Sequence, residues 1–484
     1  MRRRTFLQGG GVALLGVGLS ARSWAADALS RQDLAGDVAI LREAMKLHPG
    51  LYRYQSPQMF EGRVQRFAAE FGQAPDLAGR YLALAKLTAA IRCGHSYGNF
   101  FNQKKAVAAE LFDRPTRLPF HFVWVDRAMV VTGDASGTLT RGTRVIALNG
   151  EEPAVLRDRL VGLVRSDGHN DAKRISLLEV RADDRIETFD VFQGLLAPPS
   201  KGEHRLSLVE PGGRRRELSL PAIGLKARQA SMNAPEDKAD APLWQWAMRP
   251  DGIAVLTMPG WAIWDSKWDW KGWLSERLDS LSSAKGLIVD LRDNEGGADC
   301  GDPILARPID RTWTPPTLQQ RLRFRRTPAS LDPYLDTWDQ SFRTLGEKAT
   351  PLPGGFFLRP GGEDALTIAP AGKRLPVPIA VLISPVNSSA TFQFAQNLRA
   401  IGGGKLYGRP TGGNLRGING GCFFFVRLPA SGLEFDLPLV GYYPERRQPD
   451  AGLQPDVFVA PTIADIAAGR DPVLERAAGD LVRG

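Results

Sequence analysis

"VPIAVLISPVNSSATFQFAQNLRAIG", residues 377–402, joins an apolar run, a polar turn and an amphipathic stretch. The run at 377–383 is continuous rather than alternating, the pattern of a strand buried on both faces. Ser384-Pro385 ends it. Phe394, Leu398 and Ile401 then recur at helical spacing, and Gly402 closes the helix. Ser388 and Ser389 therefore fall on a strand-to-helix turn. Backbone N–H groups are unpaired there, and the helix dipole favours negative charge. Two readings are open for adjacent serines at such a place. One is an N-cap, which serine supplies routinely. The other is a nucleophile beside a site suited to an oxyanion. The turn is not a G-x-S-x-G elbow, so the usual esterase signal is missing.

The same pattern extends outward. "GIAVLTM" at 252–258 and "GLIVDLR" at 286–292 are further continuous apolar runs, and "GWLSERLDSLSS" at 272–283 is an amphipathic helix between them. "FFFVRLPASGLEFDLPLV" at 423–440 reads as a hairpin. Residues from about 30 to 115 carry helical periodicity instead, with Leu84, Leu87 and Ile91 on one face and Gly94 as a stop. Residues 116–222 alternate short strand-like runs such as "FHFVWV" and "TRVIALNGEE" with turn signals. Residues 223–249 are mixed and polar, a linker composition. The expectation is an α/β (α+β multidomain) protein: a helical region at 26–115, a β-rich domain at 116–222 and an α/β domain at 250–484.

The N-terminus has three ordered regions. Arg3-Arg4-Thr5-Phe6-Leu7 has the twin-arginine shape, residues 12–19 are apolar but too short to span a bilayer, and Ser23-Trp24-Ala25 supplies small residues before a cut ahead of Ala26. Residues 1–25 therefore read as a twin-arginine signal peptide, and the mature chain as periplasmic or secreted. Removing them takes four arginines and no acid. The formal charge then falls from +9 to +5, with 58 basic residues against 53 acidic. That is too mild for its size to suggest nucleic acid as a partner. No internal stretch approaches the roughly 20 apolar residues of a membrane span, so stable membrane insertion is not expected. Cys93, Cys300 and Cys422 are too few and too widely spaced for a disulfide scaffold or a zinc site, although one pair could form in an oxidising compartment.

Two further pieces bear on chemistry. "GLIVDLRDNEGGADCG" at 286–301 ends a buried strand in a turn holding Gly296-Gly297, whose backbone can approach another group and present its N–H outward. "IRCGHSYGNF" at 91–100 places His95 in a loop just past a helix. A serine needs a base to become a nucleophile at neutral pH, and the chain has only five histidines.

Taken together, "HPGLYRY" at 48–54, "CGHS" at 93–96, "GLIVDLRDNEGG" at 286–297, "VLISPVNSSATFQFAQNL" at 381–398, "GRPTGGN" at 408–414 and "GLQPDVFV" at 452–459 resemble the tail-specific or C-terminal-processing serine peptidases. The resemblance is to the branch nearer the tricorn core protease. It implies a ClpP/crotonase-like peptidase core and, for 116–222, a PDZ-like module that holds peptide by strand addition. It also implies Ser389 as nucleophile, with the N–H groups of Gly297 and Ala390 as the oxyanion hole. The position of the lysine of the Ser-Lys dyad is Asn414 here, and an Asn cannot act as a base. The resemblance then makes His95 the base. It implies an orienting acid shortly before the last word, for which Glu445 is preferred over Asp450.

The expected function is thus an exported serine peptidase acting on peptides or protein C-terminal segments, with no metal and no cofactor implied and the oligomeric state left open. The alternatives are an inactive peptide- or lipophile-binding protein on the same scaffold, or an esterase or amidase using the same site. Seven tryptophans between Trp244 and Trp273 read as core packing ahead of an aromatic substrate wall. "RLRFRR" at 321–326 reads as a solvated edge strand of alternating charge ahead of a carboxylate-binding fork.

Overall fold

The structure, a computed structural model, describes residues 30–134, 136–231, 241–362 and 367–483. The signal-peptide reading of residues 1–25 lies outside the described residues. A six-stranded sheet forms the C-terminal core, in the order Val457–Phe458, Lys405–Gly408, Ile379–Ile383, Gly286–Asp290, Ile253–Thr257, Gln245–Met248. Its first five strands run parallel, and Gln245–Met248 joins antiparallel at the edge.

The continuous apolar runs have a direct cause. Successive side chains of a strand point to opposite faces, and both faces of this sheet are covered. Val381 and Ile383 pack with Val289 under the helices Trp270–Asp279 and Ser389–Ala400. Ala380 and Leu382 pack with Ile288 on the other face, against Val473, Ala477 and Ala478 of the helix Pro472–Arg483. The tryptophans are mostly core: Trp244 makes edge-to-face contacts with Trp268, Trp270 and Trp273.

The N-terminal helices Arg31–Met45, Pro57–Gln73 and Leu77–Ile91 are capped by Ser30, Ser56 and Asp76, each side chain accepting from a backbone N–H. One continuous apolar core joins them to the five-stranded antiparallel sheet of residues 120–221 and to a second six-stranded sheet. The hairpin Asn419–Arg427 with Glu434–Pro444 lies at the centre of that second sheet. Buried Asp37 ties the first helix to the hairpin turn by accepting from the N–H groups of Ala430 and Ser431 at 2.9 and 2.8 Å.

Three features differ from the sequence reading. Residues 116–222 hold the helices Pro153–Val161, Asp171–Leu177 and Thr188–Leu196 as well as strands. They are short helices whose apolar residues serve a shared core, so their periodicity is weak. The strand Leu318–Leu322 is not an edge, because it pairs with Glu434–Pro444 on one side and Phe356–Leu358 on the other. Arg321 in this strand and Arg323 just beyond it are tolerated by stacking: they lie over the Tyr443 and Phe356 rings, at 4.6 and 3.9 Å. Within 223–249, residues Leu225–Ala230 are helical and Gln245–Met248 belong to the core sheet. The three cysteines are buried and free.

Candidate active site

Ser388 is the N-cap residue of the helix Ser389–Ala400, but its side chain makes no capping bond. Its hydroxyl accepts from the Lys173 ammonium at 2.8 Å and donates to the Glu295 carbonyl at 3.3 Å. Neighbouring side chains lock the turn. Buried Asn387 accepts from the Ser384 N–H and donates to the Leu291 and Asn294 carbonyls, and its own carbonyl receives the N–H groups of Gly412 and Gly413. Ser389 follows with φ +52°, a left-handed conformation at the first helical residue. A non-glycine residue there costs about 1–2 kcal/mol. Backbone held in such a conformation by its surroundings is a mark of a functional position.

The loop after the strand Gly286–Asp290 meets this turn. Asn294 donates to the Met258 carbonyl and receives the Gly296 N–H. A Cβ added at Gly296 would lie 2.8 Å from Ser389 Cβ and 3.1 Å from the Ala390 nitrogen, so only glycine permits the approach. Gly297, at φ +138°, is equally constrained: a Cβ there would sit 2.3 Å from the Trp261 carbonyl. Among the described residues no hydrogen bond takes up the N–H of Gly297 or of Ala390. Two unclaimed donors thus flank Ser389. Gly297→Ala is expected to lower the melting temperature, at about 1–3 kcal/mol, and to cut reactivity of the serine about a hundredfold. Thermal unfolding and the rate of labelling by a fluorophosphonate would check both.

His95 is half-buried beside Gly420 and Phe423. Its Nδ1 is buried without a partner, and no hydrogen bond joins the ring to Ser389 in this structure. Burial lowers its pKa; Asp167 opposes this, while Lys173 and Arg165 act with burial. The ring is therefore neutral near pH 7 and available to take a proton. Around it lies a charged cluster. Asp167 accepts from the Gly94 N–H at 2.9 Å and lies 3.3 Å from the Lys173 ammonium. Arg165 grips Glu295 with two bonds at 2.6 and 2.8 Å. Burial would raise the Glu295 carboxyl, but Arg165 and then Lys173 outweigh it and hold it at about 2.

The structure brings Ser389, Gly297 and Ala390 together and sets His95 beside a charged cluster that reaches the turn through Ser388. It does not bring Glu445 to His95. Glu445 is exposed after the strand Glu434–Pro444, and among the described residues it has no hydrogen bond or ion pair with the ring. Asp450 holds a different histidine: it accepts from His169 Nδ1 at 2.6 Å and from Asn414 Nδ2 at 2.8 Å. His48 accepts the Gly50 N–H and is pushed down to about 3, chiefly by burial, which leaves it neutral.

Lys173, Asp167 and Arg165 escaped the sequence reading, lying in a region read as strands. Glu295 carried a signal, since it directly precedes Gly296-Gly297. Among the described residues no cluster of three His, Cys, Asp or Glu side chains is placed to hold a metal ion. A cavity of about 600 Å3 opens beside Ala390 and Asn414, with Trp261, Phe392, Leu415 and Tyr442 among its walls. Its size and largely apolar lining suit a peptide side chain.

Comparison with known proteins finds the model of Peptidase family S41 over residues 252–459. Among solved structures, mature CPAF complexed with lactacystin is similar at a TM-score of 0.60 and 16% identity, over 94% of this chain and 99% of that one. Mature CPAF without that compound gives the same TM-score and identity over 98% of its length. The photosystem II D1 C-terminal processing protease gives a TM-score of 0.40 at 14% identity. No curated protein matches. The likeness to CPAF extends the shared fold through the N-terminal helices and the five-stranded sheet. The family match spans the strand, glycine loop and serine turn described above: residues 252–459 form a Peptidase family S41 domain, and the chain is a serine peptidase.

Proposed function

We propose that this chain is an exported peptidase in which Ser389 attacks the carbonyl carbon of a peptide or protein C-terminal segment. In this reading His95 takes the Ser389 proton as the C–O bond forms. The carbonyl oxygen becomes an oxyanion held by the N–H groups of Gly297 and Ala390. The imidazolium returns its proton to the departing amine as the C–N bond breaks. Water, deprotonated by the same ring, then releases the acyl group. Asp167 supplies the negative charge that steadies the imidazolium. The cavity beside Ala390 receives a substrate side chain.

The observation that carries this reading is Ser389 in a left-handed conformation between two unclaimed N–H donors. A plain N-cap needs neither feature.

Active-site labelling tests it. The mature protein is incubated with a fluorophosphonate, and the adduct is located by intact and peptide mass. A single adduct on Ser389 that is lost in His95→Ala is the expected result. An adduct elsewhere, or none on folded protein between pH 5 and 9, would refute the assignment. Export is checked by fusing residues 1–30 to a reporter that folds before translocation and replacing Arg3-Arg4 by lysines, which is expected to retain the reporter in the cytoplasm.

A further inference from the structure

We propose that Lys173 is a positioning residue that sets the spacing between the nucleophile turn and the loop of the base. This rests on the assignment of Ser389 and His95 above. The two groups come from distant parts of the chain and share no hydrogen bond, so something else must fix their separation. Lys173 is fully buried and lies at the junction. Its ammonium donates to Ser388 Oγ at 2.8 Å, next to Ser389. It also bonds Asp167, 3.3 Å away, whose other carboxylate oxygen accepts the N–H of Gly94, next to His95. A further contact at 3.3 Å reaches Glu295, which precedes the glycine loop.

The chain Ser388–Lys173–Asp167–Gly94 is thus a bridge of hydrogen bonds between the two catalytic loops. Its central residue belongs to neither loop. Lys173 comes from the helix Asp171–Leu177 of the β-rich region. Its stem passes Gly412, where an added Cβ would lie 3.1 Å from Lys173 Cδ. Gly412 in turn is bonded to the Asn387 carbonyl of the serine turn. Asn414 holds Asp167 from another side, donating to its backbone carbonyl at 3.0 Å. Buried ammonium groups are rare without partners, and this one spends its bonds on the two loops that must meet.

The bridge also sets charge. Asp167 and Glu295 face Arg165 and Lys173, so the four formal charges cancel around His95, and burial keeps the neighbouring His48 ring and Cys93 thiol neutral. Removing the Lys173 charge leaves a net negative site. That opposes an oxyanion and favours the imidazolium, so His95 must titrate at higher pH.

The test reads the second-order rate of fluorophosphonate labelling at Ser389 against pH, which needs no knowledge of the substrate. Lys173→Met is expected to slow labelling about a hundredfold. Its acid limb is expected to move up by about one pH unit, a shift that a loss of packing would not produce. Ser388→Ala breaks one bond of the bridge while keeping the charge. It is expected to slow labelling about tenfold with the acid limb unmoved, and to add little to Lys173→Met in the double variant.

A folded Lys173→Met protein with wild-type rate and limb would overturn the proposal. If Lys173→Met does not fold, Ser388→Ala decides: a wild-type rate there overturns it, and a tenfold loss supports it. Failure of the underlying assignment shows separately, as wild-type protein that does not label at Ser389, and the positioning role falls with it.

Discussion

Ser389→Ala is expected to lower peptidase kcat by a factor of about 10⁵ to 10⁶ with the fold intact, the loss seen when a serine nucleophile is removed from its group. The expectation of an intact fold comes from the site itself. Ser389 Oγ makes no hydrogen bond in the structure, and alanine carries no more strain than serine at φ +52°. The change in stability should therefore stay within about 0.5 kcal/mol. The residual rate should still exceed that in water, because the Gly297 and Ala390 donors remain. Thermal unfolding checks the first point. Single-turnover hydrolysis of a peptide library, using wild-type protein to find a cleaved member, checks the second. A small loss would move the nucleophile elsewhere, first to Ser388. Against Ser388 stands its burial: it is only 2% exposed, which leaves a substrate carbonyl no approach to its hydroxyl.

His95→Gln is the second large effect. Glutamine has a similar size and stays neutral, so the local packing persists while the proton acceptor is lost. The expected fall in kcat is about 10³ to 10⁴. The pH profile gives the sign. Burial depresses the His95 pKa from 6.5. The base must be unprotonated to act, so the acid limb of kcat/KM in the wild-type protein should fall below pH 6.5. His95→Gln should flatten that limb. Stability follows the same direction: the unfolded chain binds a proton at pH values where the folded ring does not, so this contribution is present above pH 6.5 and is lost as pH falls through the folded pKa. An acid limb above pH 6.5, or one that survives in His95→Gln, would point to another base. His169 would be the first to test, because Asp450 already holds its Nδ1 and its side chain is about half exposed.

Much of this was present in local patterns. The run at 377–383 and the helix after it are contiguous, and burial on both faces leaves a mark on every residue of a strand. The turn at Ser388 and Ser389 and the glycines at 296 and 297 follow directly from where those strands stop. The serine question resolves in the same terms. Ser388 stands where a cap stands and Ser389 begins the helix, but neither side chain closes it. What the chain spends there is strain and unclaimed N–H groups.

Other features have no local signature. Lys173, Asp167 and Arg165 look in sequence like ordinary surface charges. Their arrangement arises from packing the β-rich region against the serine turn, which buries Lys173 and Asp167 as a pair and sets Arg165 against Glu295. The orienting acid shows the same limit. The family resemblance suggested Glu445 or Asp450, whereas the fold exposes the first and gives the second to His169. The arginines at 321–326 looked like a solvated edge because charge alternates along them, but aromatic rings from two other segments cover Arg321 and Arg323, while Arg325 and Arg326 stay exposed.

The amino-acid sequence by itself determined the parallel core, the serine turn and the glycine loop, because each depends on residues within about one strand and one turn of one another. Only the tertiary structure decided which charges surround His95 and which lysine touches the turn. Those contacts join residues far apart in the chain, and a buried charge takes its partner from whatever the packing brings within about 4 Å.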